Sequence, residues 1–448
     1  MNKIPSFKAY DIRGKVPGEL NIELAYKIGR TIVKYLNAKS IVIGRDVRKS
    51  SPELSDALAK GINDAGCDVF DLGLCGTEMI YFGTPFLNAD GGVMITASHN
   101  PPEYNGLKFV KKGSVPMGYD SGLDVIEKMI LNNDLGEEAS VKGKVYQKDI
   151  MNEFIFKVTQ FFDAKKIQPY KVVVNAGNGC AGPALNALEK YLPVEMIKIF
   201  PEPDSNFPNG VPNPLLPENR QPTIDAIKEH GADLGVAWDG DYDRCFFFDE
   251  EGNFIEGYYI VGLLAKSILK LNPGEKIVHD PRLIWNTVDV VKKAGGEAVV
   301  SKSGHAFIKQ KMREVNSIYG GEMSAHHYFR DNFYSDSGLI PFVLILQLMS
   351  NEQSKLSNLV GEMIKSYPCS GEINSTVSDP ASKIDALKAK YYDGLLDELD
   401  GVSVEYSDWR FNIRMSNTEP LLRLNVESKK NEKLMKKKTE ELLNLIRG

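Results

Sequence analysis

Ser98 stands in Thr96-Ala97-Ser98-His99-Asn100-Pro101, directly after the apolar run Gly92 to Ile95, so a buried strand delivers a hydroxyl onto a loop that ends in proline. That placing suits a nucleophile. Serine is weak unless activated, and the neighbouring His99 need not reach it, because adjacent side chains often diverge. The competing reading is an Asn-Pro turn whose Ser and Asn satisfy only backbone groups.

Asp239-Gly240-Asp241-Tyr242-Asp243-Arg244 follows the strand-like run ADLGVAW. Three carboxylates at alternate positions repel one another, and a sequence that packs them together supplies a hard cation, Mg²⁺ or Ca²⁺. Glu250 falls where an EF-hand places its bidentate glutamate, but Arg244 occupies the position that requires Gly, and Phe246, Phe247 and Phe248 fill the middle. A strand-end Mg²⁺ site with positions open to a phosphate oxygen fits better, with Arg244 as a bidentate donor to the same anion.

Two further loops carry polar side chains suited to a sugar phosphate. Gly320-Gly321-Glu322-Met323-Ser324-Ala325-His326-His327 offers a carboxylate, a hydroxyl and two imidazoles, a mixture that serves a polyol, a metal or plain packing. Arg414-Met415-Ser416-Asn417-Thr418-Glu419-Pro420, continued by Arg423, has the hydroxyls, consecutive N–H groups and guanidinium of an anion-binding turn, or of a capped turn without ligand.

Elements to position these loops are legible in outline. Three segments repeat an apolar run, a polar loop, a helix-like stretch and a second apolar run, which is the pattern of a βαβ unit. They run from Ile41 to CDVFDLG at Cys67, from KVVVNAG at Lys171 to EMIKIF at Glu195, and from KIVHDPR at Lys276 to EAVV at Glu297. A fourth piece holds strand-like VSVEY and LLRLNVE and an amphipathic helix from Glu432 to Ile446. Linkers are expected at Asn132 to Gln147, Asp249 to Glu256 and Ser366 to Pro368. Domains are therefore expected over residues 1–147, 148–248, 249–366 and 367–448.

Composition sets the class. The 448 residues exceed one compact core, 42% hydrophobic content supports folded domains, and a formal charge of -6 disfavours nucleic acid as a partner. Five scattered cysteines, Cys67, Cys75, Cys180, Cys245 and Cys369, form no Cys-x-x-Cys pair and fit a reducing cytoplasm. No signal peptide is visible at the start. Leu339 to Met349 is too short and too broken for a membrane span and is expected as a buried helix.

Four such motifs in this order are far more specific than any one of them. Together they resemble the α-D-phosphohexomutase superfamily, whose members carry a phosphoserine loop of the TASHNP type, a DGDxDR metal loop, a GEMS-type sugar loop and a C-terminal phosphate loop. Tyr10-Asp11-Ile12-Arg13-Gly14 looks like that family's opening motif, so the likeness covers essentially the whole chain. It implies an α/β protein of four domains around a central cleft, the first three of related mixed α/β topology and the C-terminal one a smaller α+β domain.

By the same resemblance, Ser98 is the phosphoserine and binds Mg²⁺ with Asp239, Asp241 and Asp243, while Arg13 and Arg244 steady its phosphate and Lys108 serves in proton transfer. Tyr10, Arg282, His305, Glu322, Ser324 and His326 line the sugar, and Arg414, Ser416, Asn417, Thr418 and Arg423 hold the phosphate that is not being transferred. The implied reaction moves a phosphoryl group between mannose 6-phosphate and mannose 1-phosphate through a sugar 1,6-bisphosphate, feeding GDP-mannose and surface polysaccharide. Glucose phosphates are the alternative substrates, and a metal-dependent sugar phosphatase or a non-catalytic binding protein are the remoter readings. The protein is expected in the cytoplasm, away from membranes, as monomer or dimer. Two departures stand out: Arg282 replaces the family's lysine, and Ala325 replaces a common Gly. Arginine keeps the charge but changes the geometry of that contact.

Overall fold

Each expected βαβ repeat forms a parallel strand pair around one helix. Ser40–Arg45 pairs with Asp68–Leu74 across the helix Ser51–Asp64. Lys171–Asn175 pairs with Glu195–Ile199 across Ala181–Glu189, and Lys276–His279 with Glu297–Val300 across Trp285–Lys293. The cause is common to all three: the first strand of each pair is a Val- or Ile-bearing run buried on both faces, which favours parallel pairing, and the crossover helix covers one face.

The computed structural model describes residues 3–415 and 421–448. Their contacts divide them into two units, one of residues 3–254 with Tyr328–Gln353 and one of Ile255–His327 with the described residues after 353.

In the first unit, one sheet runs in the order Ile12–Lys15, Tyr104–Lys111, Gly91–Ile95, Ser40–Arg45, Asp68–Leu74, Val145–Gln147. The two strands at its start, Ile12–Lys15 and Tyr104–Lys111, run antiparallel to their neighbours, which brings Lys108 opposite Met94, four residues before Ser98. Ile28, Ile32, Ile41, Ile43, Leu54, Leu58, Val93 and Ile95 are nearly or wholly buried beneath the covering helices. Each such side chain contributes about 1.5–3 kcal/mol relative to exposure. A second sheet places Cys245–Phe248, Leu234–Trp238, Lys171–Asn175 and Glu195–Ile199 side by side.

The expected buried helix is Leu339–Glu352. Pro341 sits in its first turn, where a missing N–H costs nothing. The N–H groups of Gly338 and Leu339 donate instead to Glu78 Oε1 at 2.7 and 3.2 Å. Among the described residues no helix is long and apolar enough to cross a membrane.

In the second unit, Lys276–His279 also pairs in parallel with Tyr319–Gly321. The C-terminal sheet has five strands in the order Ile373–Thr376, Leu421–Ser428, Trp409–Met415, Val402–Glu405, Leu395–Asp397, against the helix Glu432–Arg447. Three of these strands go beyond the two read from sequence. Trp409–Met415 had a usable signal, since Trp409, Phe411 and Ile413 alternate with Arg410, Asn412 and Arg414 at the strand period of two.

Candidate active site

The strand Gly91–Ile95 is buried along its length, and the chain leaves it at Thr96 to form the serine loop. Thr96 Oγ1 accepts from the Ser98 N–H at 2.8 Å. Ser98 has φ +49°, a left-handed conformation that costs a side-chain-bearing residue about 1–2 kcal/mol and persists only where the surroundings hold it.

Arg48 supplies that hold. Its guanidinium, 1% exposed, donates to the carbonyls of Ser98 at 2.8 Å, Asn100 at 2.6 Å, Pro101 at 2.7 Å and Tyr104 at 2.9 Å. Asp46 orients it by an ion pair to Nε at 3.2 Å, and accepts from the Ser51 hydroxyl at 2.6 Å. Sequence reading missed Arg48. Its only signal was an arginine in the loop after the first βαβ strand.

The apolar strand Leu234–Trp238 ends at Asp239, and Tyr242, at φ +47°, turns the loop so that all three aspartates face inward. Their oxygens lie within 4.8 Å of one another, and all three residues are wholly buried. Ser98 Oγ donates to Asp239 Oδ2 at 2.5 Å, so the hydroxyl and the carboxylate cage share one pocket. A Cβ on Gly240 would sit 2.6 Å from the Ser98 carbonyl oxygen, so only glycine lets the two loops approach this closely.

Cations close the cage. Arg244 donates to Asp239 Oδ2 through Nε at 2.9 Å and Nη2 at 2.7 Å, and Nη2 lies 3.4 Å from Ser98 Oγ. Lys108 Nζ bridges Asp241 at 2.7 Å and Asp243 at 2.5 Å. Burial lowers the Lys108 pKa, but Asp241 and Asp243 outweigh it and hold the group well above the ordinary lysine value, as an ammonium. Burial, opposed by Arg244 and reinforced by Asp241 and Asp243, pushes Asp239 up to about 6.

The donor set fits a hard divalent cation. Asp241 Oδ1 is buried with no hydrogen-bond partner among the described residues, as a ligand oxygen would be. Its other oxygen accepts from Thr77 Oγ1 at 2.6 Å, at the start of the helix Thr77–Phe86, an orienting contact that the sequence did not suggest. Three buried carboxylates exceed the two cations that ion-pair with them, Lys108 and Arg244, and a divalent ion would neutralise the surplus.

The remaining expected residues of this unit gather nearby. Arg13 donates to Asn100 Oδ1 at 2.6 Å and to Asp11 at 2.7 Å, so it grips the serine loop two residues past Ser98. Half-buried Tyr10 lies close enough to raise the Arg13 pKa further, behind Asp11 and against the effect of burial. His99 Nδ1 lies 3.1 Å from Ser98 Oγ and contacts Arg244, a meeting that adjacency in the chain did not by itself require.

The second unit holds the sugar-loop and phosphate-loop candidates. Arg282 pairs with Asp280 through Nη2 at 2.9 Å, and the same nitrogen lies 3.4 Å from both Glu322 Oε1 and Ser324 Oγ. His326 Nδ1 is 3.2 Å from Ser324 Oγ and 3.4 Å from Glu322 Oε2. His305 opens the helix His305–Val315, where Gly304 N–H donates to Glu322 at 2.8 Å. His327 is a packing residue: burial pushes it down to about 3, and its Nδ1 meets Tyr319 Oη at 2.7 Å. Arg414 and Arg423 face one another across adjacent strands and share Glu372. Ser416, Asn417 and Thr418 lie outside the described residues.

A serine hydroxyl thus lies against a buried tri-aspartate cage, and the family of the chain is shown by its likeness to known proteins. Models of phosphoglucomutase/phosphomannomutase α/β/α domains I, II and III match residues 5–137, 144–252 and 256–367, and that family's C-terminal domain matches 372–444. The phosphohexose mutases of Xanthomonas campestris pv. campestris are 52% identical over 447 residues, covering 99% of this chain and all of theirs. Phosphomannomutase of Escherichia coli is 50% identical over 454 residues, covering all of both chains. A phosphoglucomutase/phosphomannomutase family protein of Burkholderia thailandensis superposes with a TM-score of 0.86 at 33% identity, over 99% of this chain and 98% of its own. The chain belongs to the phosphoglucomutase/phosphomannomutase family, within the α-D-phosphohexomutase superfamily. It is a four-domain α/β enzyme of the mutase type, and its acidic cluster is consistent with a metal cofactor.

Proposed function

We propose that this enzyme interconverts mannose 6-phosphate and mannose 1-phosphate, with Ser98 as the phosphate carrier and Mg²⁺ as the cation. The observation that carries the reading is the 2.5 Å contact between Ser98 Oγ and Asp239 within the three-aspartate cage. Full-length relatives at about 50% identity that are named phosphomannomutase support mannose as the sugar. The equally similar Xanthomonas campestris relatives named phosphohexose mutases favour, as a second reading, a site that also accepts glucose phosphates.

In the forward step, the bond between phosphorus and Ser98 Oγ breaks as a new one forms to the free hydroxyl of the bound hexose phosphate. The hydroxyl proton leaves to a basic group, yielding the sugar 1,6-bisphosphate. Ser98 Oγ gains a proton as it departs; the bisphosphate then presents its other phosphate, whose bond to the sugar oxygen breaks as a new one forms to Oγ, so that the sugar oxygen gains a proton and the serine proton is released. Asp239 Oδ2, at 2.5 Å, is the acceptor already hydrogen-bonded to that proton. Lys108 matches the family lysine of proton transfer, and as an ammonium it bears the proton that general-acid work needs.

Asp239, Asp241 and Asp243 would hold Mg²⁺, which supplies charge neutralisation to the phosphoryl oxygens. Arg244, 3.4 Å from Ser98 Oγ, is placed to donate to the same phosphate, and Arg13 fixes the loop through Asn100. Glu322, Ser324, His326, His305 and Arg282 would take the sugar hydroxyls, and Arg414 and Arg423, with Ser416, Asn417 and Thr418, the resident phosphate. Phosphoryl transfer rewards this division, because positioning and charge neutralisation supply most of its rate.

Specificity constants for mannose 1-phosphate and glucose 1-phosphate, with product followed by phosphorus NMR, test the proposal. A clear preference for mannose supports it. Equal values favour the second reading, and stoichiometric release of inorganic phosphate would make the enzyme a phosphatase. Ser98→Ala should abolish turnover.

A further inference from the structure

Arg414 and Arg423 are paired directly in the antiparallel register of Trp409–Met415 and Leu421–Ser428. Like charges facing each other across strands repel, so this arrangement needs a counter-anion. The described residues contain one. Glu372, at the entry to the strand Ile373–Thr376, lies 3.5 Å from Arg414 Nη2, 3.5 Å from Arg423 Nη1 and 3.2 Å from Arg282 Nη1, and its side chain is 3% exposed. Burial raises its pKa, yet Arg282, Arg414 and Arg423 outweigh that and hold it below the usual carboxylate range.

The carboxylate thus sits among the same guanidinium groups assigned above to the sugar phosphate. Arg282 has a second strong partner in Asp280, and Arg414 has Asp400 at 4.0 Å. Among the described residues, Glu372 pairs with all three arginines.

We propose that Glu372 is an internal competitor for the phosphate-binding arginines, setting their affinity low enough for the bisphosphate to let go and present its other end. The inference rests on the function proposed above, which requires each phosphate of the intermediate to occupy this clamp in turn. Arg414 and Arg423 without a carboxylate between them would retain a dianion tightly. With Glu372 among them, the incoming phosphate displaces an existing ion pair, so part of its binding energy is offset, and the carboxylate reclaims the arginines when the ligand leaves. A carboxylate that merely propped the arginines up would act oppositely, since its removal would weaken the anion site.

The test is calorimetric titration of the full-length protein with inorganic phosphate, with steady-state kinetics on the same samples. Glu372→Gln, isosteric and neutral, should bind phosphate roughly tenfold more tightly, and KM and kcat should both fall as the bisphosphate is retained. Glu372→Asp, which withdraws the charge by one methylene, should shift the same way to a smaller degree. Unchanged or weaker phosphate binding in Glu372→Gln overturns the proposal. Failure of both variants to fold also overturns it, because a carboxylate that only competes with ligand leaves the fold standing. Arg423→Ala separates the two claims. If it binds phosphate as the unmodified protein does, the arginine clamp itself is misassigned; if it loses binding while Glu372→Gln is unaltered, only the competitor role fails.

Discussion

Arg48 donates to the backbone carbonyl of Ser98 from 2.8 Å, and the same guanidinium spans three further carbonyls of the serine loop. The strained Ser98 is thereby held by a neighbour that lies outside the proposed chemistry. Lysine at this position keeps the charge but cannot reach four acceptors from one plane. Arg48→Lys should therefore lower kcat about a hundredfold, the scale of an ångström's misplacement, with KM little changed. A kcat within a factor of a few of the unmodified enzyme would show that the loop holds itself.

Thr77 touches Asp241 without being a candidate ligand. Thr77→Val removes the 2.6 Å hydrogen bond to Asp241 Oδ2 while leaving the carboxylate in place. The Mg²⁺ concentration for half-maximal activity should rise roughly ten- to a hundredfold, with activity recovered at high Mg²⁺. Asp241→Asn should not recover in the same titration. Chelation should silence the unmodified enzyme, and an enzyme active in excess chelator would contradict the cation assignment.

Arg423 is the more exposed arginine beside Glu372, at 28% of its side chain against 15% for Arg414. Its removal should act on substrate binding. Arg423→Ala is expected to raise KM about tenfold or more, the value of one charge-assisted hydrogen bond, with a smaller change in kcat. An unchanged KM would place the phosphate elsewhere.

Glu78 couples stability to pH. Its carboxyl accepts from the Gly338 and Leu339 N–H groups, and burial, against these bonds, pushes it up to about 8 from the ordinary 4.5. Because the folded value is the higher one, the folded state binds the extra proton. The contribution of Glu78 is complete below pH 4.5 and is lost as pH rises through 8. Glu78→Gln cannot titrate, so thermal unfolding from pH 5 to 9 should show the unmodified protein losing stability relative to the variant. Parallel curves would mean that Glu78 is ionised throughout.

How much of this was legible in the residues divides by range. The serine and tri-aspartate motifs, the three βαβ repeats and the buried helix at Leu339–Glu352 are local patterns, set by periodicity, loop chemistry and charge within a few residues. Period-two alternation would also have disclosed Trp409–Met415. The four-domain family was readable because its motifs recur in one order along the whole chain.

What the tertiary structure alone decided is which groups meet. Ser98 and Asp239 are 141 positions apart, Lys108 and Asp243 are 135 apart, and Glu372 reaches Arg423 across 51. Sequence determined the chemistry each loop offers, since side-chain type and backbone preference are local properties. Folding determined that Asp239 accepts from Ser98, that Arg48 and Thr77 steady the pocket, and that Glu372 sits among the arginines. Those contacts follow from sheet register and loop packing, to which residues far apart in the chain contribute jointly, and no short stretch encodes them by itself.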